Sequence, residues 1–346
     1  MAETDSRPAT ETPTEWATYF DPQWLARRRE EIIEPALPVV DPHHHLWPFA
    51  NFGVTELLAD LGAGHNVQAT VHLETGIGYD RSAPAHLAPV GETRLITSLA
   101  EEQALRAPDG PAIAAGLVGW VDLTLPSEQV EEALGAHVLA GDGRFRGIRF
   151  NAFWDGAVGW QGAEPGRMAD ATIRRNLALL PRHGLVCDVM IFHPQLDEFA
   201  RYAASLPETR FVLDHLGGVL GRGAYAGRTA EMFPDWRKGM AALAACPNVA
   251  VKLGGLANGF FSGWKFNLDP DPPSSETIAE AYRPYVESAV ELFGADRCMF
   301  ESNFPADKSH VDYALLWNAF KHLAAGLNQA DKRALFAGTA RRVYAL

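Results

Sequence analysis

The sequence has few cysteines, fewer basic than acidic residues, and no long hydrophobic run. Its three cysteines are far apart among apolar residues, which argues against a disulfide framework or a cysteine-based zinc cluster. No apolar stretch approaches the roughly 20 residues of a membrane span. The first residues lack the basic start and apolar run of a secretory signal. These absences predict a cytoplasmic protein with buried free thiols.

The charge balance disfavours polyanionic partners. The 346 residues include 43 acidic side chains against 30 lysines and arginines, a formal net charge of −13. A nucleic acid or an anionic membrane would require a basic face, so neither is expected as a partner. A small-molecule substrate remains compatible with this charge, and an isologous homodimer is the default assembly for such a chain.

Short β-rich runs alternate with helical segments along the chain. The predicted strands are Pro38–Asp41, Val67–Leu73, Leu117–Leu123, Gly147–Asn151, Leu185–Ile191, Phe211–Leu213, Val249–Leu253 and Arg297–Phe300. This alternation favours parallel pairing with right-handed crossovers, and eight such units fit an α/β fold of the (β/α)8 barrel type. A doubly wound open sheet is the alternative, but the chain has no glycine-rich phosphate loop or dinucleotide-binding fingerprint.

The chain is predicted to form one domain with a loose start. Residues 1–18 are rich in Thr, Pro and Glu and are predicted to be a flexible tail, followed by a single domain over 19–346. A helix is predicted over Pro22–Ile33. Two loops rich in Gly, Pro and aromatic residues, Gly221–Asp235 and Asn258–Ser274, are predicted to act as lids or pocket walls rather than as disordered excursions.

A histidine-rich segment follows the first predicted strand. In Asp41-Pro-His-His-His-Leu-Trp47, His43 and His45 are two residues apart, so an extended backbone points both imidazoles to the same side. Imidazole is the commonest metal ligand and a proton carrier near neutral pH. The spacing therefore indicates a functional site at the end of this strand.

Polar residues occur at the end of every predicted strand. In chain order they are His43 and His45; His72 and Glu74; Trp120 and Asp122; Arg149 and Asn151, with Trp154 following; His193; Asp214 and His215; Lys252; and Glu301 and Asn303, with Asp307 and Lys308 beyond. Each one alone also has a structural explanation, such as an interior hydrogen bond or ion pair. Together they predict an active face at the carboxyl ends of barrel strands.

Five short motifs occur in a characteristic strand order. D-x-H-x-H-L-W, G-I-R, H-P, D-H-L-G and S-N-F-P, with the closing G-T-A-R-R-V-Y, resemble the amidohydrolase superfamily over about residues 37–346. Within it the chain resembles the amidohydrolase-related branch that contains 2-pyrone-4,6-dicarboxylate lactonase and other lactonases. The resemblance implies a TIM-like barrel, a hydrolase activity, and a pocket built by His43, His45, His193, His215 and Asn303.

The chain departs from the family pattern in two places. Most members have an aspartate where Asn303 stands, and an amide cannot accept a proton near neutral pH. Asn303 is therefore given a supporting role, and the base is left open between Glu301 and Asp307. The fourth strand also lacks the lysine of two-metal members, so a dinuclear site is not expected.

The cofactor prediction leaves two alternatives open. One is a single divalent metal, zinc by preference, held by His43, His45 and a third histidine, His193. The other is a metal-free mechanism, as the lactonase branch also implies. No nucleotide or organic cofactor is expected.

The leading functional hypothesis is hydrolysis of a small lactone, with or without a carboxylate, by attack of water on the ring carbonyl. Arg149 could bind a substrate carboxylate, or it could belong to an internal ion pair. The predicted substrate-binding set is Arg149, Trp154, Glu74, Lys252 and Trp264. Non-oxidative decarboxylation of an aromatic or unsaturated acid is the second hypothesis, and a ligand-binding barrel without catalysis is the third.

Overall fold

Eight parallel strands form the central sheet of the computed structural model, which describes residues 20–158, 163–264 and 266–346. They are β1 Pro38–His44, β2 Asn66–Leu73, β3 Ala112–Gly119, β4 Phe145–Asn151, β5 Val186–Met190, β6 Arg210–Leu213, β7 Val249–Leu253 and β8 Cys298–Phe300. The strands are hydrogen-bonded in chain order, and each neighbouring pair is parallel. The (β/α)8 architecture predicted from the alternation of elements is confirmed.

The segment after β8 brings the last strand back to the first. The backbone N–H of Asn303 donates to the carbonyl of His43 at 2.9 Å, and the N–H of His45 donates to the carbonyl of Phe304 at 2.7 Å. The Asp41 side chain accepts from the N–H of Ser302 at 3.0 Å. The histidine segment and the S-N-F-P turn are therefore fixed directly against each other at the barrel mouth.

Helices surround the barrel and connect its strands. They are α1 Pro22–Leu25, α2 Val54–Leu61, α3 Val90–Arg106, α4 Ser127–Ala140, α5 Ala171–Leu177, α6 Leu196–Ala204, the single turn α7 His215–Gly218, α8 Thr229–Ala244, α9 Ser275–Phe293, α10 Tyr313–Leu323, α11 Gln329–Arg333 and α12 Thr339–Tyr344. No helix in the described part of the chain is long and apolar enough to cross a membrane. All three cysteines are buried free thiols, as predicted.

The helix predicted over Pro22–Ile33 is wrong beyond its first turn. It ends at Leu25, and the following segment lies against the loop that precedes α9. Arg28 Nε donates to the Pro272 carbonyl at 2.6 Å, and Glu30 accepts from the N–H of Ser275 at 3.0 Å. These long-range bonds, rather than local helix propensity, decide the conformation here.

The third strand begins and ends earlier than predicted. It covers Ala112–Gly119, so Trp120 and Asp122 follow it instead of lying on it. Asp122 accepts from the N–H and hydroxyl of Thr124, at 2.9 and 2.6 Å, and thus stabilises the turn toward α4. The small residues at the start of the strand gave only a weak hydrophobic signal.

The two predicted loops keep their positions, but the first is shorter. Helix α8 begins at Thr229, so the loop expected over Gly221–Asp235 ends seven residues early, at Arg228. The loop Asn258–Ser274 does lead into α9, which begins at Ser275. Their action as lids stays a prediction, and the predicted tail 1–18 lies outside the described residues.

The lower half of the barrel interior is apolar. Val186, Val212 and Ala250, on three neighbouring strands, belong to one buried cluster that Tyr344 of α12 joins. Side chains two residues apart on a strand share a face. Polar side chains two residues further along these strands therefore lie on the same interior face, above the apolar layer.

His137, a buried histidine on α4, makes the free energy of unfolding depend on pH. Thr93 Oγ1 and the Trp120 carbonyl contact the two ring nitrogens of His137, at 2.8 and 3.2 Å, and burial lowers the pKa of His137 to about 4. The unfolded chain binds the proton below pH 6.5 while the folded chain does not, so this contribution to stability is present above pH 6.5 and is lost as the pH falls toward 4.

We expect the His137→Gln variant to lack this pH-dependent contribution, so that comparison with it measures the loss in the native chain. The difference in free energy of unfolding between the native chain and the variant should fall by about 3 kcal/mol from pH 7 to pH 4. Urea unfolding at several pH values measures it. A difference that stays constant over this range would show that His137 is not the neutral buried group described.

Candidate functional site

The two histidines of the H-x-H motif meet at the barrel mouth. Both are buried, and His43 Nε2 lies 3.2 Å from His45 Nε2. His45 Nδ1 contacts the Leu73 carbonyl at 3.0 Å, which can only accept, so Nδ1 carries the proton and Nε2 is an acceptor. The intervening His44 points away from this pair and contacts Thr70 Oγ1 at 2.9 Å. The alternation predicted from sequence is confirmed.

Beneath His43 lies a buried ion network. Lys252 Nζ is 2.9 Å from Asp188 Oδ2 and 3.1 Å from Asp214 Oδ1, and it donates to His43 Nδ1 at 3.1 Å. The hydroxyl of Tyr344 donates to Asp188 at 2.9 Å from below. Burial lowers the pKa of Lys252, but the charges of the two aspartates outweigh this and raise it. The lysine is therefore charged.

Glu301 lies between two histidines. Its Oε1 accepts from His215 Nδ1 at 2.8 Å, and its Oε2 lies 2.9 Å from His43 Nδ1. Burial lowers the pKa of His215, but attraction to Glu301 outweighs it, so the pKa is raised. Because Nδ1 of His215 donates to the carboxylate, Nε2 is left to accept a proton.

The backbone around His215 is built for this position. His215 itself has a φ of +54°, which L residues rarely adopt. A Cβ on Gly255 would lie 2.4 Å from Cγ and Nδ1 of the imidazole, so only glycine leaves room for the ring. The loop after β7 thus supports the histidine after β6.

Asn303 and Asp307 form a pair on the other side of the site. Asn303 Nδ2 donates to Asp307 Oδ1 at 2.7 Å, and the N–H of Ala257 donates to Asp307 Oδ2 at 3.1 Å. Burial raises the pKa of Asp307 to about 7. Asp307, one of the two carboxylates that the sequence analysis considered as the base, therefore lies behind the Asn303 amide and holds it in place.

Glu74 and Arg149 pair across the barrel mouth. Arg149 Nε and Nη2 donate to Glu74 Oε1 at 3.1 and 2.9 Å, and Nη2 also donates to the Glu74 carbonyl at 2.8 Å. Asn151 Nδ2 donates to the same Oε1 at 3.1 Å. Of the two roles that sequence left open for Arg149, this geometry corresponds to the internal ion pair.

The remaining predicted site residues lie at the rim or behind it. His193 Nδ1 accepts from the N–H of Leu220 at 3.1 Å, and burial lowers the pKa of His193 to about 4. Trp154 is exposed, and the Trp264 ring packs 4.9 Å from that of Tyr282. Substrate contacts for these residues stay predictions.

The donor set at the mouth fits a divalent metal. Two ligands held 2.0–2.1 Å from a tetrahedral zinc lie about 3.3 Å apart, close to the 3.2 Å between His43 and His45. Ligand atoms of His43, His215 and Glu301 also lie within 4.8 Å of one another. His193 is outside that group, so its role as third ligand stays a prediction. A bound ion would be held by His43 and His45, with His215 and Glu301 beside it.

Two residues of the network had no role in the sequence analysis. Asp188 is a charged residue within the otherwise apolar strand β5, and this break in pattern was the available signal. Tyr344 lies at the end of the chain, where no local pattern indicates that its hydroxyl reaches the barrel interior. The contact between them exists only when β5 and α12 are assembled.

Comparisons of sequence and of structure find proteins similar to this chain. An uncharacterized protein of Sinorhizobium fredii, y4mH, is 32% identical over 333 residues, covering 89% of this chain and 98% of that protein. An L-fucono-1,5-lactonase of Burkholderia multivorans is 28% identical, covering 89% and 96%. The crystal structure of an amidohydrolase from Burkholderia multivorans with bound zinc has a TM-score of 0.64 at 25% identity, covering 89% of this chain and 99% of that one.

A family model agrees with the motifs on the barrel strands. The Amidohydrolase model matches residues 40–346, which is nearly the whole of the barrel from within β1 to residue 346. Members of this family are hydrolases that often bind a divalent metal. The resemblance that the sequence motifs indicated is confirmed, and the chain belongs to the amidohydrolase family.

Proposed function

We propose that this enzyme hydrolyses a small lactone by direct attack of water on the ring carbonyl. The observation that carries the proposal is the His215–Glu301 pair, which stands beside the paired imidazoles of His43 and His45. A histidine oriented by a carboxylate is the arrangement of a general base. The relative named as an L-fucono-1,5-lactonase, aligned over 89% of this chain, supports the choice of lactones.

The proton of the attacking water goes to His215 Nε2. As the new C–O bond forms, Glu301 stabilises the imidazolium through the 2.8 Å contact to Nδ1. The ring C–O bond then breaks, and the same proton is returned to the departing alkoxide, which leaves a hydroxy acid. When bound, a divalent metal would polarise the carbonyl and lower the pKa of the water.

His43 is positioned for this chemistry by one group on β7 and by two groups that directly follow β8 and β1. Lys252 donates to its Nδ1, Glu301 lies 2.9 Å away, and His45 contacts its Nε2. Burial, together with the Lys252 charge, holds the pKa of His43 well below its usual range, so the ring is neutral at working pH. With Nδ1 accepting from Lys252, Nε2 carries the ring proton and can donate to a substrate oxygen. Binding of a metal at Nε2 would move that proton to Nδ1, where Glu301 Oε2 at 2.9 Å accepts it.

The two other hypotheses have less support. Decarboxylation requires an acid that delivers a proton to carbon, and the strand-eight position that would supply a carboxylate is Asn303. A barrel without catalysis would not need a general-base pair, yet His215 and Glu301 are intact. Lactone hydrolysis uses the His215–Glu301 pair as a base and the neutral His43 beside it.

A substrate panel tests the proposal. The purified enzyme, as isolated and after zinc is supplied, is assayed for acid release from aldonolactones and carboxylated lactones, and for carbon dioxide release from carboxylated phenols. We expect acid release from at least one lactone. We also expect His215→Asn to lower kcat by about 10²–10⁴-fold. The control His86→Asn, at a partly buried histidine that contacts the exposed Glu132, retains activity.

Three other outcomes would contradict the proposed lactone hydrolysis or the role of His215. Carbon dioxide release without lactone hydrolysis would replace the proposal by decarboxylation. Thermal stabilisation by lactones without turnover would indicate a binding protein. Full activity in His215→Asn would remove this residue as the base.

A further inference from the structure

The ion pair with Glu74 at the barrel mouth largely neutralises the positive charge of Arg149. Its Nε and Nη2 both contact Glu74 Oε1, at 3.1 and 2.9 Å, and the two side chains are 14% and 8% exposed. Glu74 is therefore close enough to cancel the guanidinium charge. A carboxylate brought to Arg149 by a substrate would meet the Glu74 carboxylate as well.

Lys252, the other cation of the buried network, has carboxylate partners too. It lies between Asp188 and Asp214, and His215, neutral as the proposed base, contacts the Glu301 carboxylate. On the rim, the exposed Arg222 donates to the Phe260 carbonyl. The polar centre that the described residues form is thus neutral to negative, although it contains lysine, arginine and histidine.

We propose that Glu74 is a specificity-determining residue that makes the site accept uncharged, hydroxylated lactones and reject lactones that carry a carboxylate. The inference rests on the proposed lactone hydrolysis and names the substrate class. The paired Glu74 and Arg149 offer an acceptor and donors to neutral hydroxyl groups, as a polyol ring requires. The same field repels the carboxylate that hydrolysis creates, which favours release of the product.

The substitution that isolates this effect is Glu74→Gln. Glutamine keeps the length of the side chain and an oxygen that can accept from Arg149 and Asn151, but it removes the negative charge. Arg149 then carries a net charge that a substrate carboxylate can use. At a few ångströms and an effective dielectric constant near 20, one charge changes binding by about tenfold or more.

The experiment compares two lactones that differ at one carbon. D-Glucono-1,4-lactone and D-glucaro-1,4-lactone differ only in having a hydroxymethyl group or a carboxylate at C6. We expect the native enzyme to prefer the neutral lactone in kcat/KM. In Glu74→Gln the ratio of anionic to neutral kcat/KM should rise about tenfold or more. Glu102→Gln, which removes an exposed charge paired with Arg106, should leave this ratio unchanged.

Binding is measured separately from turnover. Thermal stabilisation by each lactone is recorded for the native enzyme, for His43→Ala and for Glu74→Gln. If neither lactone is hydrolysed but the neutral one stabilises the native protein and the preference reverses in Glu74→Gln, the charge rule holds and these lactones are not substrates. A native preference for the anionic lactone, a ratio that Glu74→Gln does not move, or no stabilisation by either lactone in any form overturns the inference.

Discussion

Replacement of His43 by alanine is expected to lower kcat/KM for lactone hydrolysis by about 10³-fold or more. His43 contacts His45 through Nε2, and its Nδ1 lies at 2.9–3.1 Å from Glu301 and Lys252. Its removal therefore takes away a group at the reacting centre. It also breaks the link between His45 and the buried ion network around Lys252. Steady-state kinetics on the lactone found with the panel measure the loss.

The neighbouring histidine provides a matched control. His44 lies on the same strand but faces the outside of the barrel, where it contacts Thr70. His44→Gln should keep activity within a few-fold, because it disturbs the strand without touching the site. Equal losses in both variants would mean that His43 acts only through the folding of β1, and near-native activity in His43→Ala would remove it from the site.

Metal content gives a second readout for the histidine pair. We expect about one divalent ion per chain after zinc is supplied, lost in the His43→Ala/His45→Ala double variant. The 3.2 Å separation of the two Nε2 atoms is the reason for this expectation. A metal that remains bound in the double variant would place the ion elsewhere.

Replacement of Lys252 by methionine is expected to lower the free energy of unfolding at pH 8 by about 3–5 kcal/mol. The change leaves Asp188 and Asp214 buried without their cation, although both are fully buried beside it in the native chain. Methionine retains the volume of the side chain, so the loss reports charge rather than a cavity. Urea unfolding measures it.

A double variant and a pH series show whether charge is the cause. In Lys252→Met/Asp188→Asn one of the two unpaired charges is also removed, so part of the stability should return. Burial raises the pKa of Asp188 to about 6 even beside Lys252, so the loss should be smaller at pH 5, where the carboxyl is protonated more readily. A loss below about 1 kcal/mol at pH 8, or one that does not depend on pH, would contradict the described network.

Sequence reasoning succeeded where one strand carries its own periodicity. The eight strands follow from runs of apolar residues, and the shared direction of His43 and His45 follows from their spacing. The order of motifs along the chain also placed His215, Glu301 and Asn303 at the same end of the barrel. These features depend on residues close together in the chain, so local rules apply to them.

Sequence reasoning failed where contacts with distant segments decide the local structure or the pairing of a side chain. The Pro22–Ile33 helix is cut short by bonds to the loop before α9, about 245 residues away along the chain. The role left open for Arg149 depended on Glu74, which follows another strand, β2. No pattern within either segment contains the partner.

The barrel, its active end and most of the chemical groups there follow from the sequence alone. How those groups are paired depends on the folded chain, which joins Glu301 with His215, Asn303 with Asp307, and Glu74 with Arg149. The reason is physical, because the charge state of a buried group depends on its neighbours in space. Those neighbours come from strands that the sequence separates by tens to hundreds of residues.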